Sequence, residues 1–329
     1  MAIGRVACVG VVLLTWIAGP VAQQQDRFRT TMDVVSIYAT VTDAAGRLVP
    51  DLTKNDFTVK DNGRKQPIAA FSNEPQPISV VVLLDCSGSM AGHLDTVRDG
   101  AKAFLTQMRP DDRARLGTFA GEIRLIPEVF TSDRERLLTL VRETDLPPGT
   151  GSPIWTAIDR SITALREERG RRVVLLFTDG INNPSPGQVV TDLKDIIWRA
   201  RFNDVMVYAI GFTDSGERGP YFALPGRNPR GVGGSYGWGG NGSSAEEKEA
   251  RKSLQELASQ TGGGFFEMNG LDRLGQVFAR VAEELHRQYW IGIKATTLDD
   301  TMHKLEVSVS RRDLTVRARK SYFAGSFVK

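Results

Sequence analysis

Cysteine is nearly missing from this chain, which has only Cys8 and Cys86 among 329 residues. Cys8 falls in an N-terminal segment expected to be removed. That leaves one thiol and no intramolecular disulfide, and a core of this size does not need such a staple. Histidine is scarce as well: His93, His286 and His303 show no zinc spacing. An excess of one charge is also lacking. Taking Arg5 from the 42 basic residues leaves 41 against 39 acidic ones, a net charge near +2. With no long basic run, that balance argues against nucleic-acid binding.

Long apolar runs are absent beyond the N-terminus. Residues 1–22, MAIGRVACVGVVLLTWIAGPVA, have one early arginine, an apolar run from Val6 to Ile17 and small residues after it. This is a signal-peptide pattern. The run falls short of the roughly 20 residues that span a bilayer. The expected mature form is therefore exported and free of a membrane span, in the periplasm, at the cell surface or outside. An uncleaved N-terminal anchor is the alternative.

What is present is the make-up of a soluble globular protein, with 41% hydrophobic and 25% charged residues. Residues 28–75 read as a β segment: MDVVSIYATVTD alternates, and FTVKDNGRKQPIAAF suggests a hairpin around Asp61-Asn62-Gly63. At PQPISVVVLLD the text becomes a continuous aliphatic run, the mark of a strand buried on both faces of a parallel sheet. Strands then alternate with helices through residues 77–287, which predicts an α/β fold with a doubly wound, mostly parallel sheet flanked by helices. One helix is expected to open on a capping box from Ser132 to Glu135. Residues 288–326 return to β text and are expected to join the N-terminal segment in one small β module. The glycine-rich stretch 213–244 is far longer than a usual connection. It lacks the Gly-Lys-Ser/Thr of a phosphate loop, which leaves a surface loop as the expectation.

The chemistry concentrates in VVVLLDCSGSM, residues 80–90. Asp85, Ser87 and Ser89 follow a buried strand at alternate positions, and Gly88 eases a turn that would gather their oxygens. A second buried strand, VVLLFTDG, ends at Asp179, and the loop PPGTGSPIW adds Thr150 and Ser152. In doubly wound sheets, ligands bind beyond the carboxyl ends of the strands. Oxygen-only donors with two carboxylates suit Mg²⁺, with Mn²⁺ or Ca²⁺ as alternatives. Cys86 sits inside the motif but has no histidine placed to activate it, and a buried filler is the expectation.

DCSGSM, GSPIWTAI and LLFTDG, in that order on alternating strands and helices, resemble the metal-ion-dependent adhesion site (MIDAS) of a von Willebrand factor A-type (VWA) domain. The flanks resemble those of a bacterial group of exported proteins related to that family. Carried over, the resemblance implies metal ligands Asp85, Ser87, Ser89 and Asp179. Aligning GSPI with the family's Gly-Thr-Pro/Ala-Leu puts Ser152 at the threonine position, with Thr150 as the alternative. It implies a binding module, not an enzyme, whose metal accepts an Asp or Glu carboxylate from a protein partner. Two other classes stay open: a scaffold that uses its β module and loop around a structural metal, and a Mg²⁺-dependent hydrolase.

Overall fold

In the computed structural model, the described residues are 34–143, 151–187, 191–213, 244–269 and 274–325. The signal-peptide reading, Thr150 and nearly all of the glycine-rich stretch lie outside them. Among the described residues no helix is long and apolar enough to cross a membrane.

The central sheet is built from strands with almost no polar positions. Strand β5 (Ile78–Asp85) is buried at every residue, and β8 (Arg171–Thr178) at all but one. Such strands need cover on both faces. Around them run β6 (Arg113–Phe119), β7 (Ile123–Thr131), β9 (Val205–Thr213) and β10 (Phe265–Asn269). Their order is β10-β9-β8-β5-β6-β7, with β7 alone antiparallel to its neighbour.

Alternation sends Val80, Val82 and Leu84 to one face and Val81 and Leu83 to the other. The first face is covered by α1 (Leu94–Thr106), α2 (Arg134–Glu143) and α6 (Leu274–His286), which bring Val97, Phe104, Leu137, Phe278 and Leu285. The second is covered by α3 (Ile154–Leu165), α4 (Leu193–Phe202) and α5 (Ser244–Thr261), with Ile158, Ile162, Ile196 and Leu257. Each fully buried aliphatic side chain contributes about 1.5–3 kcal/mol, so two such layers supply the main driving force.

The ends of the chain build the β module as two antiparallel sheets. One has the order β13-β1-β11-β4, from β1 (Val34–Thr42), β4 (Ile68–Ser72), β11 (Tyr289–Lys294) and β13 (Thr315–Arg317). The other has the order β14-β12-β2-β3, from β2 (Phe57–Asp61), β3 (Arg64–Gln66), β12 (Thr301–Val309) and β14 (Ser321–Ala324). Between them lies a core that includes Ile37, Phe57, Val59, Tyr289, Ile291 and Leu305. Asn62 and Gly63 both take positive φ, 46° and 80°, and close the β2–β3 hairpin. Both central residues of a type I′ turn need that conformation, which asparagine and glycine tolerate best.

Three local details differ from the sequence reading. The expected hairpin text ends at Pro67, and the chain beyond it crosses to the other sheet as β4. Within the β text of residues 288–326, where one small module was expected, LTVRARKSYF supplies two strands, β13 and β14, to different sheets. Helix α2 is capped by Asp133, whose Oδ1 accepts the Arg136 N–H at 2.9 Å, and not by Ser132. A carboxylate at that position also faces the positive end of the helix dipole, which a serine cannot exploit.

A buried polar network joins the module to the central domain. Arg171, 1% exposed, donates from Nη1 to Gln288 Oε1 at 2.7 Å and from Nη2 to the Gln76 carbonyl at 2.9 Å. Gln288 Nε2 donates to Thr40 Oγ1 and to the Tyr208 hydroxyl, each at 3.0 Å. Both hydroxyls in turn donate to Glu284 Oε1, which also accepts from Arg317. All of these residues are hydrogen-bonded into one network, although the Nε atoms of Arg171 and Arg317 are buried without a partner among the described residues.

Candidate metal centre

Strands β5 and β8 are parallel neighbours, with Leu84 opposite Phe177. The chain leaves β5 toward β6 on one side and later returns to β8 on the other, so the crevice beyond their carboxyl ends is the switch in strand order. Asp85 ends β5, and Asp179 follows β8 directly.

Asp85 is the floor of the site and is completely buried. Its Oδ1 accepts the Ser87 N–H at 2.9 Å, which turns the chain back into the 3-10 turn Gly88–His93. Its Oδ2 accepts from Ser152 Oγ at 3.2 Å and from Thr178 Oγ1 at 2.5 Å. Ser87 Oγ lies 3.1 Å from Ser89 Oγ. Asp85, Ser87, Ser89 and Ser152 thus form one connected cluster. Exposure rises outward from it, with Ser87 and Ser152 buried, Asp179 half-buried and Ser89 exposed at the mouth.

The other two loops are tied to each other. Ser152 and Asn183 exchange backbone hydrogen bonds in an isolated bridge, and the Trp155 N–H at the start of α3 donates to Asn182 Oδ1 at 3.4 Å. Gly151 has φ +84°, and a Cβ there would stand 2.4 Å from Ser185 Oγ, so the bridge requires glycine. Asp179 Oδ1 accepts the Ile181 N–H at 3.0 Å.

Burial pushes the Asp85 carboxyl up to about 6, the charge of Asp179 adds to the rise, and hydrogen bonds from Ser87 and Thr178 oppose it. The two carboxylates therefore lie close enough for their charges to oppose each other. Among the described residues no group of three or more His, Cys, Asp or Glu could hold a metal, so the remaining donors here are hydroxyls. Oxygen donors with uncompensated negative charge fit a hard divalent cation. Cys86 is buried beside the cluster. Burial and the Asp85 charge push its thiol up to about 12, which leaves no thiolate at neutral pH and matches the filler role.

Thr178 was not singled out in the sequence. Its hydroxyl donates to Asp85 Oδ2 and accepts the Gly180 N–H at 2.9 Å, so it orients the buried carboxylate. The signal that could have found it is a hydroxyl one residue before Asp179 at the end of an otherwise aliphatic strand.

A doubly wound sheet with an oxygen-lined crevice at its switch point places the chain among α/β domains. The particular family follows from the match of residues 79–280 to the model for the von Willebrand factor type A domain. That match covers more than half of the chain, and the chain belongs to this family. Among solved structures, a von Willebrand factor type A protein from Catenulispora acidiphila is 10% identical, with 91% of this chain and 74% of that one covered and a TM-score of 0.49. The vWF domain of the type V pili tip protein Mfa5 from Porphyromonas gingivalis is 13% identical over 64% of this chain and 95% of that one, with a TM-score of 0.46. An aerotolerance-related membrane protein from Bacteroides fragilis is 15% identical over 64% and 100%, with a TM-score of 0.44. No curated protein matches the chain.

Proposed function

We propose that this protein is an exported, non-enzymatic binding module that holds Mg²⁺ with Asp85, Ser87, Ser89, Ser152 and Asp179 and presents it to a carboxylate of a protein partner. The observation that carries this reading is the buried Asp85, raised to about 6 by burial and by the charge of Asp179. A dication offsets that repulsion. Because the serine hydroxyls are neutral, it would keep residual positive charge toward the exposed mouth, where an incoming Asp or Glu gains charge-assisted coordination. Export rests on the pattern of residues 1–22. The module of residues 28–75 and 288–326 would serve as the mount that carries the domain of residues 77–287.

Calorimetric titration of the mature protein with Mg²⁺ and Mn²⁺, alongside Asp85→Ala, tests the site. Saturable binding in the wild type that vanishes in the variant supports it. Equal binding in both, or none in either, would refute it. For the partner, capture on an immobilised carboxylate-rich peptide should require Mg²⁺ and disappear with chelator; capture that ignores chelator would instead favour the scaffold reading.

A further inference from the structure

A cavity of about 750 Å³ lies where the ends of α4 and α5 meet β12 and the stretch that leads from β13 into β14. It shares no residue with the metal centre. Its volume falls within the roughly 300–1,000 Å³ of small-molecule sites. Four cations line it, Arg201, Lys304, Arg319 and Lys320, against one carboxylate, Glu306.

Two of those cations are already satisfied. Arg319 pairs with Asp204 and Lys304 with Glu306, each at 2.8 Å. Arg201 and Lys320 have no ion pair among the described residues. Arg201 donates from Nε to the Ser321 hydroxyl. Burial lowers its guanidinium from the usual value, and no neighbouring carboxylate offsets that cost. Nearby at the junction Arg317 meets Glu284 and Arg319 meets Asp204, whereas Arg171 is held by the neutral Gln288 side chain and the Gln76 carbonyl. Position in the last turn of α4, where a cation meets the negative end of the helix dipole, accounts for one of them. It does not account for Lys320 and Lys304 converging on the same concave surface from the module.

We propose that this seam is a second binding site, for a small polyanion with phosphate or carboxylate groups, and that Arg201 and Lys320 make the principal contacts to it. A guanidinium matches two oxygens of such a group at once, and an ammonium adds a point charge beside it. The ligand would touch α4, α5, β12 and the approach to β14 together, and so would bind the folded junction and stabilise it.

The test uses full-length mature protein stripped of metal by chelator and then dialysed, titrated at low salt with pyrophosphate in one arm and citrate in the other. Saturable binding is expected, weakened about tenfold or more by Lys320→Glu and by Arg201→Gln, and weakened by added salt. A preference for pyrophosphate identifies phosphate as the group recognised, and a preference for citrate identifies carboxylate. Lys320 is exposed, so its variant should fold even if Arg201→Gln does not; circular dichroism checks both. Absence of saturable binding with either anion overturns the proposal. So does binding unchanged by Lys320→Glu, or binding lost in Asp85→Ala.

Discussion

Asp61 in the β module and Asp85 in the central domain are both buried aspartates, 2% and 0% exposed, and their surroundings are opposite. Asp61 has its counter-ion inside the protein. His303 Nδ1 stands 2.9 Å from its Oδ1, and Tyr322 and Thr296 donate to its Oδ2 at 2.9 and 2.8 Å. On the other side of the ring, His303 Nε2 lies 3.1 Å from Asp299 Oδ1. Burial alone would push His303 down, but hydrogen bonds and charges from Asp299 and Asp61 outweigh it and raise it. Hydrogen bonds from Thr301 and His303 hold Asp299 at about 2. Asp85 has hydroxyls and a second carboxylate instead. One aspartate finds its partners when the chain folds; on the proposed reading, the other is completed by a bound cation. Burial by itself therefore does not mark a functional carboxylate, whereas burial without a countercharge does.

Removing the internal counter-ion should have the largest effect. His303→Leu leaves Asp61 buried without its cation and is expected to cost about 3–5 kcal/mol in urea denaturation. A loss below about 1 kcal/mol would mean that Asp61 does not depend on His303. On the other side, a hundredfold excess of Mg²⁺ over its Kd should add about 2.7 kcal/mol to the stability of the wild type and nothing to Asp85→Asn. Equal melting shifts in the two proteins would erase the contrast.

Thr178→Val takes away one hydrogen bond that orients Asp85 while keeping the shape of the side chain. We expect Mg²⁺ affinity to fall about tenfold by calorimetry, and the metal-free protein to lose about 1–3 kcal/mol because the Gly180 N–H and Asp85 Oδ2 each lose a buried partner. The smallest expected effect is a pH slope. The folded-state value of His303 is raised above 6.5, so its contribution to stability is fully present below about pH 6.5 and is lost as pH rises through the folded value. Denaturation curves from pH 6 to 9 should show that decline in the wild type and not in His303→Gln.

The half of this contrast that lies at the sheet edge was legible in the sequence. The aliphatic run of β5 and the alternate Asp85, Ser87 and Ser89 are local patterns, and a strand buried on both faces announces itself by composition. The Asp61 cluster was not legible, because Asp61 and His303 are 242 positions apart and each looks like an ordinary polar residue in alternating β text. Thr178 escaped for a related reason: its partner lies 93 residues away, and a threonine at a strand end is unremarkable alone. Ser132 was preferred over Asp133 as the cap of α2 because both fit the local rule, and only the observed hydrogen bond decides between them.

The interleaved β module also sets an order of events during synthesis. Strand β11 is the one that joins β1 to β4, and β12 is the one that extends the β2–β3 hairpin. A ribosome releases the first four strands long before either joining strand exists, with the whole central domain between them in the chain. Those early strands meanwhile offer open edges to any neighbour. The final residues then act as a latch: a chain cut just before Asp313 keeps the whole central domain but loses β13 from one sheet and β14 from the other.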